Sequence, residues 1–246
     1  MFNNFSTNQE LVGHLKSIGV LKTPLIISAF EKIDRKDFVP KQFENEAYGD
    51  YPLSIGQGQT ISQPYTVAFM LELLQPQPGE KILDIGAGSG WTTALLAYII
   101  SQQGSTNYQL LRRGRIRAWR TISKEIPISN NQNELGKVYA IEVIPELCEF
   151  GAQNCNKYKF VSDGVAKFFC QDGNLGLKDY APFDKILASA ALSKKELPQA
   201  WKDQLKVRGR IVCPIMNSIF VFDKIKQDKW QEEEHYGFNF VPLVKR

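Results

Sequence analysis

Residues 81–90 read KILDIGAGSG, and the reading of this stretch decides the fold. Ile82, Leu83 and Ile85 make a short apolar run, the pattern of a buried strand. Gly86, Gly88 and Gly90 follow at once, and residues 91–100, WTTALLAYII, are apolar enough for a well-buried helix. Strand, glycine turn and helix together form the entry to a nucleotide-binding α/β domain. Glycine has no Cβ, so the turn can be tight and a ligand can approach its backbone. The spacing is G-x-G-x-G, with Asp84 two residues ahead of the first glycine, and it departs from the dinucleotide pattern G-x-G-x-x-G.

Downstream of the turn, the pattern predicts strands at 137–142, 167–171, 183–188 and 209–214, with helices at 145–158 and 198–205. Late strands are expected at 218–224 and 237–243, with no helix between them. Strands alternating with helices and then a terminal strand pair predict a mainly parallel sheet with an antiparallel edge. Upstream, apolar positions 11, 12, 15 and 18 mark a helix over 8–19, and a second helix is expected over 24–33. Residues 51–65, YPLSIGQGQTISQPY, have no clear period and read as a loop leading into a helix over 65–74. Pro64 suits a first helical position, with Ser62 or Gln63 near the cap.

In an open α/β sheet, ligands sit beyond the carboxyl ends of the strands. Asp84, Glu142 and Asp172 fall at or just beyond three successive strand ends. A carboxylate at the position of Glu142 can accept two hydrogen bonds from a ribose diol. Asp172, next to Gly173, can accept from an adenine amino group, and Asp84 can orient the remaining part of the ligand directly or through water. Glu142 lies 56 residues beyond Gly86, whereas such an acid usually falls about 20 residues beyond the turn. An insertion at about 101–135 accounts for the difference.

That segment is also where the charge is. Residues 101–136 carry Arg112, Arg113, Arg115, Arg117, Arg120 and Lys124 against Glu125 and Glu134, which equals the whole net charge of +4. The rest of the chain is balanced. With 246 residues and 43% hydrophobic content, one globular domain is expected, with 1–62 as lead-in and loop and 63–246 as the α/β core. Cys148, Cys155, Cys170 and Cys213 form no C-x-x-C pair and stand far from His14 and His235, so no metal site is expected. No signal peptide and no apolar run of membrane-spanning length is visible, which predicts a cytoplasmic protein.

The G-x-G-x-G turn resembles the first motif of S-adenosylmethionine-dependent methyltransferases. A more specific likeness precedes it. The run AYGDYPLSIGQGQTISQPYTVAFMLELL at 47–74 resembles the signature loop and helix of the protein-L-isoaspartate O-methyltransferase family. DIGAGSG, the strand ending at Glu142, CQDGNLG, APFDKILASAAL, LPQAWKDQLKVRGRIVCP and the terminal FVPLVK then follow in the family's order. The resemblance implies a class I, Rossmann-like methyltransferase fold with a seven-stranded sheet. It implies methyl transfer from S-adenosylmethionine to the α-carboxylate of L-isoaspartyl residues in damaged proteins, by a monomer that needs no metal. Ser62 matches the family's active-site serine, with Thr60 a secondary candidate. Ile55, Gly56 and Gln57 match the loop over the substrate, and Asp84, Gly86, Gly88, Gly90, Glu142, Asp172 and Gly173 match the cofactor site. Two departures bear on peptide preference. Arg208 replaces one of a glycine pair before the fifth strand, and PIMNS at 214–218 replaces a more usual proline, valine, glycine run.

Two rival functions remain open to the sequence. The Arg-rich segment with Tyr108 and Trp119 could serve a nucleic-acid methyltransferase by contacting phosphates and stacking on bases. The chain could also be a catalytically idle module that keeps the fold to bind peptide, a reading that retention of Ser62 and of all three acids opposes.

Overall fold

The structure is a computed structural model and describes residues 5–102 and 136–244. The segment 103–135, which holds nearly all of the expected insertion and its basic run, lies outside the described residues. Two helices lead in, α1 (Asn8–Ser17) and α2 (Pro24–Lys32). The hydroxyl of Thr7 caps α1 by accepting from the Glu10 N–H, and Pro24 opens α2. The expected loop at 51–65 instead contains a small antiparallel hairpin, β1 (Leu53–Gly56) and β2 (Gln59–Ile61). Its strands are too short to reveal a period. Gly56, Gln57 and Gly58 all take positive φ to make the connection.

Helix α3 (Pro64–Leu74) follows, then β3 (Lys81–Ile85), the glycine turn and α4 (Trp91–Ile100). Of the two residues expected near the cap of α3, Gln63 rather than Ser62 holds the position. Gln63 is the N-cap without a side-chain bond, and the Asp50 carboxylate accepts from the Tyr65 N–H at 2.8 Å. Beyond residue 135 come β4 (Lys137–Glu142), α5 (Pro145–Asn156), β5 (Ala166–Cys170), β6 (Phe183–Ala188), α6 (Gln199–Gln204) and β7 (Leu205–Ile215). The chain then forms β8 (Ser218–Lys226) and β9 (Lys229–Tyr236).

The strand expected at 237–243 is a second correction. The last strand is β9, KWQEEEHY, whose charged residues hid it. It is the outer strand of the sheet, and charges on such a strand discourage pairing with another chain. Residues 237–244 run on as an extended tail with a single bridge, Pro242 to Ala191.

The main sheet has seven strands in the order β5-β4-β3-β6-β7-β8-β9. Pairs from β5 through to β7 are parallel, and β7–β8 and β8–β9 are antiparallel. From β3 the chain crosses to β4 on one side and later to β6 on the other, so a crevice opens at the carboxyl end of β3. Side chains alternate faces along each strand. Ile82, Val138, Leu187 and Val212 join the apolar cluster that includes α1 to α4, while Leu83, Ile85, Ile141, Ile186 and Trp201 fill the other face. Each such fully buried side chain contributes roughly 1.5–3 kcal/mol.

The two ends of the segment 103–135 stand side by side. The Ile100 carbonyl accepts from the Gly79 N–H at 2.9 Å, and the Lys137 N–H donates to the Glu80 carbonyl at 3.1 Å. A Cβ on Gly136 would lie 2.8 Å from both the Glu80 oxygen and the Ile100 Cβ. The flanking residues Gln102 and Gly136 therefore lie at the amino edge of β3 and β4, opposite the crevice.

The departures from the family pattern at 208 and 216 have a conformational counterpart. Arg208 has φ +68° and Met216 φ +53°, the left-handed region that favours glycine. The backbone keeps the glycine-like path without the glycine. Met216 is 64% exposed in the two-residue connection between β7 and β8. A side chain in this conformation costs roughly 1–2 kcal/mol, and glycine's extra freedom when unfolded returns about 0.5–1. Met216→Gly should therefore raise stability in urea unfolding by about 0.5–1 kcal/mol. A lower stability would mean that the Met216 side chain makes contacts worth more than its strain.

Candidate active site

A cavity of about 720 Å³ opens at the carboxyl ends of β3 and β4, within the size range of small-molecule sites. Three segments wall it. The first is the turn after β3, Gly86 to Ser89, together with Glu142 to Ile144 after β4. The second is the end of the hairpin, with Thr60 and Ser62. The third is the end of β9 at Tyr236 and the tail 237–244, where a strand over 237–243 was expected. Hydrogen bonds on both sides of Ala191 hold the tail: its N–H donates to the Val241 carbonyl, and its carbonyl accepts from the Leu243 N–H, each at 2.8 Å.

The glycine turn is held by β4. The Gly86 and Ala87 N–H groups both donate to the Ile141 carbonyl, at 2.9 and 3.0 Å. Glu142 Oε2 accepts from the Gly88 N–H at 2.9 Å, and Oε1 accepts from the Ile144 N–H at 3.1 Å. Glu142 is only 6% exposed, yet it lines the cavity. Gly90 packs against Gly151 of α5, where a Cβ on Gly90 would run into the Gly151 carbonyl. Gly151 was not singled out in the sequence, because only the folded turn brings it near.

The candidate residues divide by placement. Gly86, Gly88, Glu142, Gly173, Thr60 and Ser62 line the cavity. Asp84 lies behind the turn, fully buried, with Oδ2 accepting from the Thr93 hydroxyl at 2.6 Å and Oδ1 without a partner among the described residues. Gly90 also stands behind the lining. Asp172 turns its carboxylate to its own loop, where Oδ1 accepts from the N–H and the side-chain amide of Asn174 at 2.8 and 2.7 Å. Ile55, Gly56 and Gln57 sit at the hairpin tip outside the lining, although a Cβ on Gly88 would lie 3.3 Å from Ile55 Cδ1. No group of three or more metal-ligating side chains occurs among the described residues, and none of their helices is long and apolar enough to cross a membrane.

The donor set fits a nucleoside ligand. Glu142 offers free lone pairs to a diol beside a glycine backbone that a ligand can approach. Gly173 borders the same space, its carbonyl held by Trp201 Nε1 at 2.8 Å.

Asp84 also makes the fold sensitive to pH. Burial pushes its carboxyl up to about 7, opposed by the Thr93 hydrogen bond and reinforced by Glu142. The folded state therefore holds a proton that the unfolded chain releases near its ordinary value of 3.8. Its contribution to stability must fall as pH rises from about 4 to 7. Asp84→Asn removes this dependence, so the fall in melting temperature between pH 5 and pH 8 should be smaller in the variant than in the parent. An equal fall in both would show that Asp84 does not titrate in that window.

Comparison with known proteins accords with this geometry. The model of the protein-L-isoaspartate(D-aspartate) O-methyltransferase family matches residues 6–118 and 127–246. The break at 119–126 is narrower than the insertion expected from spacing. A protein-L-isoaspartate O-methyltransferase of Methanopyrus kandleri is 33% identical over 240 residues, covering 96% of this chain and 90% of that protein. One from Flavobacterium psychrophilum is 39% identical over 239 residues, covering 96% and 93%. A Plasmodium falciparum structure, described as a candidate enzyme of this kind with S-adenosyl-L-homocysteine, has the same fold at a TM-score of 0.75. It is 20% identical and covers 98% of this chain and all of that one. On the match along nearly its whole length, this chain belongs to the protein-L-isoaspartate O-methyltransferase family.

Proposed function

We infer that the chain transfers a methyl group from S-adenosylmethionine to the α-carboxylate of L-isoaspartyl residues in damaged proteins. The observation that carries this reading is that one cavity is walled by both the Glu142 crevice and the hairpin end bearing Ser62. A generic methyltransferase needs the first wall. The second is the part that resembles the family's signature loop.

When bound, the cofactor supplies a methyl group on a positively charged sulfur and leaves as S-adenosylhomocysteine. Glu142 is the proposed partner of its ribose, with Gly86 and Gly88 allowing close approach and Gly173 beside the base. Asp84 and Gly90 support the turn from behind, and Asp172 shapes the loop that carries Gly173. Ile55, Gly56 and Gln57 at the hairpin tip are the proposed cover over the bound peptide.

The reacting carboxylate is already ionised at neutral pH, because its ordinary pKa is about 4. No strong general base is required. The chain's task is to hold the carboxylate oxygen in line with the methyl carbon and to keep water away. Ser62 is the proposed donor that holds this carboxylate, with Thr60 second. The backbone amide nitrogen then attacks the methyl ester carbonyl and expels methanol, closing a succinimide whose hydrolysis returns some normal aspartate.

The reading is tested by methyl incorporation into an isoaspartyl peptide beside its normal aspartyl twin. The isoaspartyl peptide alone should be methylated, and incorporation into RNA with neither peptide accepted would replace this function with the nucleic-acid rival. Ser62→Ala should lower turnover by one to three orders of magnitude, on the order of what a misplaced reacting group costs. Its melting temperature should barely change, because Asp50 rather than Ser62 caps α3. Near-normal turnover would pass the role to Thr60 or to backbone amides of the hairpin. Glu142→Ala should weaken S-adenosylhomocysteine binding at least about tenfold, since hydrogen bonds to a charged group are each worth roughly 1.5–3 kcal/mol. Unchanged affinity in calorimetry would remove Glu142 from the ribose.

A further inference from the structure

Arg35 is fully buried, with the Asp50 carboxylate favouring its charge from beyond salt-bridge distance and no direct salt bridge among the described residues. Its guanidinium instead donates to four backbone carbonyls. Nη1 donates to Ala47 at 2.7 Å and Gly49 at 3.1 Å, and Nη2 to Tyr51 at 3.0 Å and Ser62 at 3.2 Å. Tyr51 and Ser62 flank the hairpin β1–β2, so a single nitrogen closes the hairpin at its neck. The same guanidinium carbon lies 5.5 Å from the centre of the Trp91 ring, a cation–π distance. Trp91 opens α4 directly after Gly90 and lines the cavity with Ser62. One side chain therefore touches the peptide side and the cofactor side of the site, and reaches neither ligand itself.

We propose that Arg35 is a positioning residue for methyl transfer, fixing the Ser62 end of the hairpin at a set place relative to the glycine turn. This rests on the function inferred above. With the Ser62 carbonyl held, the Cα that carries its hydroxyl has little freedom. The planar guanidinium presents donors in a fixed fork, which a lysine ammonium cannot reproduce across four carbonyls. A displacement of about 1 Å at a reacting group can cost a factor of about 100 in rate.

A residue that only stabilises the core would, when replaced, lower melting temperature and leave turnover per folded molecule intact. Positioning predicts a different split. In the full chain, Arg35→Lys and Arg35→Met should each lower kcat on an isoaspartyl peptide by about 30-fold or more. Affinity for S-adenosylhomocysteine by calorimetry should stay within about threefold, because Arg35 meets the cofactor wall only through the Trp91 ring, while the Ile141 carbonyl and Glu142 hold the glycine turn. Lysine should not rescue kcat even where it restores melting temperature. A folded Arg35→Lys enzyme with the parent's kcat overturns the proposal. So does a loss of kcat that only matches the loss of folded protein.

Hydrogen exchange on the unmodified chain gives a second test that needs neither folded variants nor an accepted peptide. The paired amides of 53–61 should be protected to a similar degree as those of α2. Unprotected hairpin amides beside protected β3 and β4 would show an unheld neck and overturn the proposal even if the enzyme methylates isoaspartyl peptide. Protected amides in a chain that methylates no such peptide would sink the function and leave the held neck standing.

Discussion

The carboxylate of Glu142 joins the two turns on which the site is built. One oxygen takes the Gly88 N–H from the turn after β3, and the other takes the Ile144 N–H from the turn after β4. Both are backbone donors that would otherwise face a crevice at the end of two buried strands. The parallel register that pairs Ile85 with Ile141 brings the two turns level, and the Ile141 carbonyl takes two more amides of the glycine turn. Each carboxylate oxygen keeps a further lone pair for a ligand. The group that shapes the crevice is thus also the group best able to read a diol inside it.

The other two walls are attached by long-range ties. The hairpin hangs from Arg35, while Asp50 anchors the start of α3 immediately after Ser62. The tail is bracketed by Ala191, one turn beyond β6, and Phe238 within it packs on Tyr65 and Phe69 of α3. The described residues that flank 103–135, Gln102 and Gly136, lie at the opposite edge of the sheet. Its basic run with Tyr108 and Trp119 is the sequence feature that favours nucleic acid, and its attachment points lie across the length of a strand from the cavity, about 17 Å for five residues.

How much of this was legible in the sequence follows from the range of each interaction. Strand β3, the glycine turn and α4 are local patterns and were read at their true bounds, as was β4 with its terminal Glu142. At 208 and 216 the resemblance marks missing glycines, but that the backbone keeps the glycine-like path is not legible, because arginine and methionine stand there. The hairpin escaped because three or four residues cannot display a period, and β9 because an outer strand lacks apolar alternation. Asp84, Gly90 and Asp172 were grouped with the cavity residues by their spacing. The folded chain turns Asp84 to Thr93 and Asp172 to Asn174, partners that only the coordinates reveal. Arg35, Asp50 and Gly151 act across 12 to 61 residues through contacts to backbone, and no motif announces those.

The central claim is that one cavity holds the cofactor against Glu142 and the peptide carboxylate against the hairpin. A crystal structure of the chain with S-adenosylhomocysteine and an isoaspartyl peptide tests it most directly. The account predicts the ribose hydroxyls on Glu142 and the isoaspartyl α-carboxylate within about 3 Å of the Ser62 hydroxyl, ordinary hydrogen-bond distance. A peptide bound away from the hairpin, or a ribose turned away from Glu142, would contradict it.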